Sequence, residues 1–220
     1  MKLNQETVAI LKTFALINSN LVIKPGKKIT TMSATKDILA EYEGEDEFDE
    51  TFAVFNLSEF LGAFGSFQDP ELELESKQCI IKQGKQKVKY TYADESYLIT
   101  PKKDIKMPSS DVEVELSQDL LQRMQKMAAV LSVEDFSIIG DGDKVSVKVC
   151  DVKNNTNNEF EVDLEQETTD NFRIDFKIDK LKLFPSDYVV EISSKKISKW
   201  KSKNINLSVF IAVEATSQFN

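Results

Sequence analysis

Apolar positions recur along the chain in two helical stripes, one near the start and one in the middle. In 117–131, Leu120, Leu121, Met124, Met127, Ala128 and Leu131 gather on one face at about 100° per residue. Gln118, Gln122, Gln125, Lys126 and Ala129 lie opposite, with Arg123 on the flank. Ser117 is a good N-cap, Asp119 sits in the first turn where the helix dipole favours an acid, and the pattern stops at Ser132. In Asn4–Asn18 the same period turns Leu3, Thr7, Ile10, Leu11, Phe14 and Ile17 inward and Gln5, Ala9, Lys12 and Leu16 outward. The outward face of the first helix holds a lysine and no acid. That of the central helix holds glutamines, small residues and two cations.

Between the stripes the period shortens to that of strands. Leu21–Lys24 and Lys28–Met32 read as a hairpin around Pro25-Gly26, a pair suited to a type II turn. Further strands are expected at Asp37–Glu43, Phe52–Asn56, Glu71–Glu75, Cys79–Lys82 and Gln86–Tyr92. The acidic run Gly44–Glu50 reads as a solvated loop, because its carboxylates lack the spacing of a Ca²⁺ loop. Leu57, Phe60, Leu61, Phe64 and Phe67 predict a short helix, weakened by Gly62 and Gly65 at about 1 kcal/mol each against alanine.

The order then repeats. Strand Val112–Leu116 leads into the central helix and strands Glu134–Ile139, Lys144–Val149, Glu159–Glu165 and Phe172–Ile178. A Gly140-Asp141-Gly142 hairpin turn and a polar turn at Lys153–Asn158 separate the first three of these. A short helix over Asp179–Phe184 and strands Asp187–Ser193, Ile197–Trp200 and Ile205–Ala215 follow. The two short helices match, FAVFNLSEFLGAF against FRIDFKIDKLKLF. The pattern predicts an α+β chain of two similar domains, 1–93 and 111–220, each with two helices on antiparallel sheets. The segment 94–110, with two prolines and neither period, is the connector.

Composition narrows the chemistry. The 220 residues suffice for two small cores, and the absence of histidine excludes His-based triads, bases and metal sites. Cys79 and Cys150 form no CxxC and read as buried thiols of a reducing compartment. No apolar run reaches membrane-spanning length and no P-loop occurs, so a soluble intracellular protein without metal, cofactor or catalysis is expected. GDGD at Gly140–Asp143 lacks the remaining ligands of a Ca²⁺ loop. The net charge of −9 opposes nucleic-acid binding unless the cations are segregated from the acids.

KLNQETVAILKTFALINS at the start, FRIDFKIDKLKLFPSDYVVEI with its Pro185 corner, and VFIAVEAT near the end resemble the sliding clamps, DNA polymerase processivity factors, and most closely those of T-even-type bacteriophages. The resemblance covers nearly the whole length. It implies the DNA clamp fold and a homotrimer closed head to tail into a ring around duplex DNA. It also implies a replicative polymerase and an ATP-dependent clamp loader as partners, late-transcription factors as further ones, and the cytoplasm of the infected bacterium as the setting. Lys12, Arg123, Lys126, Lys180 and Lys182 would line the hole, while the second helix turns Glu59, Gly62 and Ser66 outward with no cation. Clamps of this family capture a terminal polymerase peptide in an apolar pocket, which points here to Tyr97, Leu98 and Ile99 and to Phe210, Ala212 and Val213. Leu98 and Ile99 have a second reading, as anchors that pin the connector to a sheet.

Strand alternation adds a candidate subunit contact. Lys85, Lys87 and Lys89 share one face of the seventh predicted strand, and Glu159, Glu161, Asp163 and Glu165 share one face of a strand in the second half. In the clamp fold these two edges meet between subunits. Two other readings remain open: a scaffold of the same fold that does not encircle DNA, and a carboxylate-based hydrolase suggested only by the abundance of acids.

Overall fold

The computed structural model describes residues 1–103, 105–154 and 156–219; Asp104 of the connector, Asn155 of the polar turn and Asn220 lie outside the described residues. The chain forms two compact units, Met1–Ile105 with Asn206–Val209, and Lys106–Ile205 with Phe210–Asn220. The connector is thus divided after Ile105. A short return of the chain, Asn206–Val209, counts with the first unit, which the element order alone did not indicate.

Unit 1 begins with α1 (Gln5–Ile17), started by Asn4, whose Oδ1 accepts the Thr7 N–H at 2.6 Å. Thr7, Ile10, Leu11, Thr13, Phe14 and Ile17 are buried, which is the stripe read from the sequence with Thr13 added. Next come β1 (Leu21–Ile23), β2 (Gly26–Met32), β3 (Ile38–Phe48) and β4 (Phe52–Val54). The expected hairpin of the first two strands does not form. β1 pairs with β4, and β2 pairs with β3. Gly26 supplies the positive φ of 121°, but all three residues of β1 are buried and find their ladder on another buried strand, Phe52–Val54.

The acidic run is likewise strand. β3 continues through it to Phe48 with Tyr42 and Phe48 buried and Glu43, Glu45 and Glu47 exposed, so the acids simply occupy the solvent side of a period-two strand. Two residues of β3 fasten α1: Asp46 of the run accepts the Asn4 N–H at 2.9 Å, and the Tyr42 hydroxyl just before it donates to Glu6 at 2.5 Å. Gly44 is required there, because a Cβ would lie 2.2 Å from the Tyr42 oxygen.

α2 (Leu57–Gly65) is capped by Asn56 and buries Leu57, Phe60 and Phe64. Phe60 packs edge-on against Phe52 and Tyr90 at 4.9 and 5.5 Å between centroids. A three-stranded sheet, β5 (Glu71–Leu74), β6 (Gln78–Gln83) and β7 (Gln86–Thr91), completes the unit in that order. Met1 exchanges backbone hydrogen bonds with Leu72, so the β5 edge is covered, while β7 pairs with β6 alone among the described residues.

Unit 2 opens with β8 (Val112–Leu116) and α3 (Gln118–Leu131), capped by Ser117, whose Oγ accepts the Leu120 N–H. Leu121, Met124 and Ala128 are buried, with Leu120, Met127 and Leu131 half-buried. Strands β9 (Asp135–Asp141), β10 (Lys144–Cys150), β11 (Phe160–Glu167) and β12 (Asn171–Lys177) form an antiparallel sheet ordered β11-β10-β9-β12, with β11 at the edge. One face of it presents Phe136, Ile138, Val147, Ile174 and Phe176 to the core, where Trp200 packs edge-on to Phe176 at 5.5 Å. β13 (Tyr188–Ser193) lies between β8 and β14 (Ile197–Ser202). β15 (Leu207–Ala212) has its last three residues in unit 2, and β16 (Gln218–Phe219) joins β12.

The helix expected over Asp179–Phe184 is a single 3-10 turn, Ile178–Lys180. Pro185 disfavours helical backbone at Phe184, and the few residues left between strand and proline are too short to nucleate an α-helix. Both cysteines are free and buried, as expected, and burial pushes the Cys79 thiol up to about 12. No helix among the described residues is long and apolar enough to cross a membrane. No three of their His, Cys, Asp and Glu side chains are placed to hold a metal ion.

Candidate functional site

Lys12, on α1, is exposed and has no carboxylate partner among the described residues. The one acid on the exposed side of that helix, Glu6, is taken by Tyr42. α2 packs beside α1 and shows Ser58, Glu59, Gly62 and Ser66 to solvent, so the expected lack of a cation there holds. In unit 2 the outer face of α3 presents Gln122, Arg123, Gln125 and Lys126. Neither cation forms an ion pair among the described residues; Arg123 lies over the Phe160 ring of β11, 5.3 Å from its centroid. These three cations are held out by the burial of the opposite stripe and have their charge available.

The other two expected lining residues are placed differently. The 3-10 turn lies alongside α3, tied by the Gln125 amide donating to Leu181 O at 3.0 Å. Lys180 is engaged by Glu214 at 2.8 Å, both side chains largely covered, so its charge is neutralised within unit 2. Lys182 is half-buried.

The peptide-pocket residues fall in both units. Tyr97 ends a 3-10 turn and is 81% exposed. Leu98 is 8% exposed and packs with Val22, Ala53, Tyr92 and Ala93, and Ile99 is fastened by Asn20 through its N–H at 3.2 Å. For Leu98 this is the anchoring arrangement. Phe210 and Val213 are buried and Ala212 half-buried in unit 2, with Lys199 over the Phe210 ring.

The two charged strands are both edges of their own sheets. On β7, Lys87 and Lys89 are exposed, with Lys85 in the preceding turn, while Val88 and Tyr90 turn toward the sheet. Beyond the two-residue turn at Gly84 and Lys85, the backbone groups of Lys87, Lys89 and Thr91 point away from β6, as alternate residues of an edge strand must. The acids of β5 are taken up by Lys82, which pairs with Glu73 and Glu71, so Lys85, Lys87 and Lys89 form no ion pair among the described residues, Lys87 acting on Glu73 only at longer range.

On β11 the alternation also holds: Glu161, Asp163, Glu165 and Glu167 are exposed, and Phe160, Val162, Leu164 and Gln166 half-buried. Two lysines of β10, absent from the sequence reading, already reach this row. Lys148 lies 3.1 Å from Glu159 and 2.9 Å from Glu161, and Lys144 lies 2.9 Å from Asp163. Burial would raise the Glu161 carboxyl, but hydrogen bonds from Lys148 and Ser146 carry it below the ordinary range. A hairpin register places Lys148 opposite Glu161, so laying the two strands side by side would have revealed the pair.

No family model matches the chain. Over 222 residues, 98% of this chain and all of the relative, it is 29% identical to the sliding clamp of Vibrio phage KVP40. It is 27% identical to the sliding clamp of Escherichia phage RB69, with both chains covered end to end. Among solved structures, the proliferating cellular nuclear antigen of Entamoeba histolytica superposes with a TM-score of 0.70 at 12% identity, covering 94% of each chain. The PCNA of A. fulgidus, solved with the C-terminal region of FEN-1 bound, superposes with a TM-score of 0.68 at 11% identity over 96% of each. The structural likeness establishes the DNA clamp fold, and the end-to-end sequence similarity is to the sliding clamps of T4-like bacteriophages.

Proposed function

We propose that three copies of this chain close head to tail into a ring that encircles duplex DNA and tethers the replicative DNA polymerase. The protein is a tether and not an enzyme. The observation that carries the DNA contact is charge segregation: among the described residues Lys12, Arg123 and Lys126 form no ion pair and stand on helix faces of a chain whose net charge is −9. A ring that slides needs weak, exchangeable phosphate contacts and no base readout, and an acidic exterior keeps DNA off the outside. The ring forms where β7 of one copy adds to β11 of the next. An exposed edge is an aggregation hazard unless charged, and opposite signs make each edge a poor partner for itself and a good one for the other.

Processive synthesis on a primed circular template tests the DNA contact. Lys12→Glu with Arg123→Glu and Lys126→Glu should abolish it with the circular dichroism spectrum unchanged, while each single change does little. Wild-type processivity of the triple variant at moderate salt would remove these helices from the DNA path.

The terminal peptide of the polymerase docks on the connector side through Tyr97. The exposure of that ring and the inward packing of Leu98 support this division of roles. Tyr97→Ala should weaken the peptide by about tenfold or more in calorimetry, as loss of an aromatic anchor does; an unchanged affinity would take Tyr97 out of the site. An ATP-dependent loader opens and closes the ring, late-transcription factors are further partners, and the protein works in the cytoplasm of the infected bacterium.

A further inference from the structure

The acid row of β11 is not symmetric with the lysine row of β7. Glu159, Glu161, Asp163, Glu165 and Glu167 project from one side of their strand, and Lys148 and Lys144 of the adjacent strand engage the first three. Among the described residues Glu165 and Glu167 form no ion pair, although Lys144 stands opposite Glu167 in the ladder. The five acids and two lysines leave an excess of three negative charges, and the three lysines Lys85, Lys87 and Lys89 match that excess. The stronger of the internal holds is at Lys148: its side chain is 18% exposed, it bridges two carboxylates, and Ser146 donates to Glu161 at 2.7 Å. Water screens such a group poorly compared with a lysine at the rim.

We infer that Lys144 and Lys148 are internal competitors for the acid row, which set how tightly β7 of a second copy is held. This rests on the reading that β7 and β11 meet between subunits. An incoming lysine meets carboxylates that are already neutralised, so each must be shared or exchanged, and the gain on joining is smaller than the bare acid row would give. Without the two lysines the separate subunit would carry five like charges at alternate positions of one strand. That repulsion is relieved when the partner's lysines arrive. Neutralising the internal lysines therefore tightens association, although it removes ion pairs from the folded chain. Lys144 and Lys148 thereby keep the ring openable.

Sedimentation equilibrium on the full chain tests this, with wild type, Lys144→Gln/Lys148→Gln and Lys87→Glu/Lys89→Glu compared at several salt concentrations. The glutamine variant should dissociate at roughly three- to tenfold lower protein concentration per contact, in line with the modest worth of exposed ion pairs. Its association should also fall more steeply with salt, since more charge is then neutralised on joining. Lys144→Gln alone, at a well-exposed side chain, should shift in the same direction by less; it guards against a folding defect at the more buried Lys148. If both glutamine variants associate no more tightly than wild type while Lys87→Glu/Lys89→Glu is monomeric, the competition is wrong and the edge contact stands. If Lys87→Glu/Lys89→Glu still forms trimers, the edge contact itself is wrong and the inference falls with it.

Discussion

α2 and the segment that follows β12 start from matching sequence and reach different ends. In unit 1 Asn56 turns the chain into the helix: its Oδ1 accepts the Glu59 N–H at 3.1 Å and its carbonyl accepts the Phe60 N–H at 3.0 Å. In unit 2 the residue before the 3-10 turn is Lys177, which provides no capping side chain. Leu181 then leaves helical backbone, at φ −77° and ψ 57°. What holds this stretch is tertiary: Leu181 is buried, Gln125 donates to its carbonyl, and the Tyr188 hydroxyl donates to Phe184 O at 2.7 Å. A cap and one uninterrupted further turn separate a helix from a turn. Matching apolar positions did not suffice.

The comparison can be broken most forcefully in the packing. Phe60→Ala should cost about 3–5 kcal/mol, because the ring is fully buried among Phe52, Phe64 and Tyr90. In the turn after β12, Leu181→Ala should cost nearer 2 kcal/mol, the low end for a buried leucine, since the surrounding turn can settle. Urea denaturation measures both; equal losses would mean that the turn is packed as rigidly as the helix. At the cap the effect is smaller. Asn56→Ala should lower stability by about 1 kcal/mol, and a loss below a few tenths would show that burial alone holds α2. The smallest change should be a gain. A Cβ at Gly62 meets nothing within 4 Å, so Gly62→Ala should stabilise the helix by roughly 0.5–1 kcal/mol and raise the melting temperature.

The same contrast runs between the two edges. β7 offers lysines that form no ion pair among the described residues, whereas the acids of β11 face lysines on their own neighbour strand. Both rows could be read from alternation in the chain. Their electrostatic state could not, because Lys148 reaches Glu161 through a strand pairing.

What the sequence by itself determined is whatever repeats over a few residues. The stripes of α1, α2 and α3 and the Ser117 cap of α3 are of this kind. So are the exposed cations Lys12, Arg123 and Lys126 and the alternating charges of β7 and β11. Helix and strand periods act between positions two to four residues apart, so they are written locally. The tertiary structure decided which distant groups meet. It paired β1 with β4, carried β3 through the acidic run so that Tyr42 and Asp46 could fasten α1, and turned Leu98 against Val22 and Ala53. It also gave Lys180 to Glu214 and the acids of β11 to Lys144 and Lys148. Each of these contacts joins residues far apart along the chain or on different strands, and the partner is selected by what burial leaves within reach.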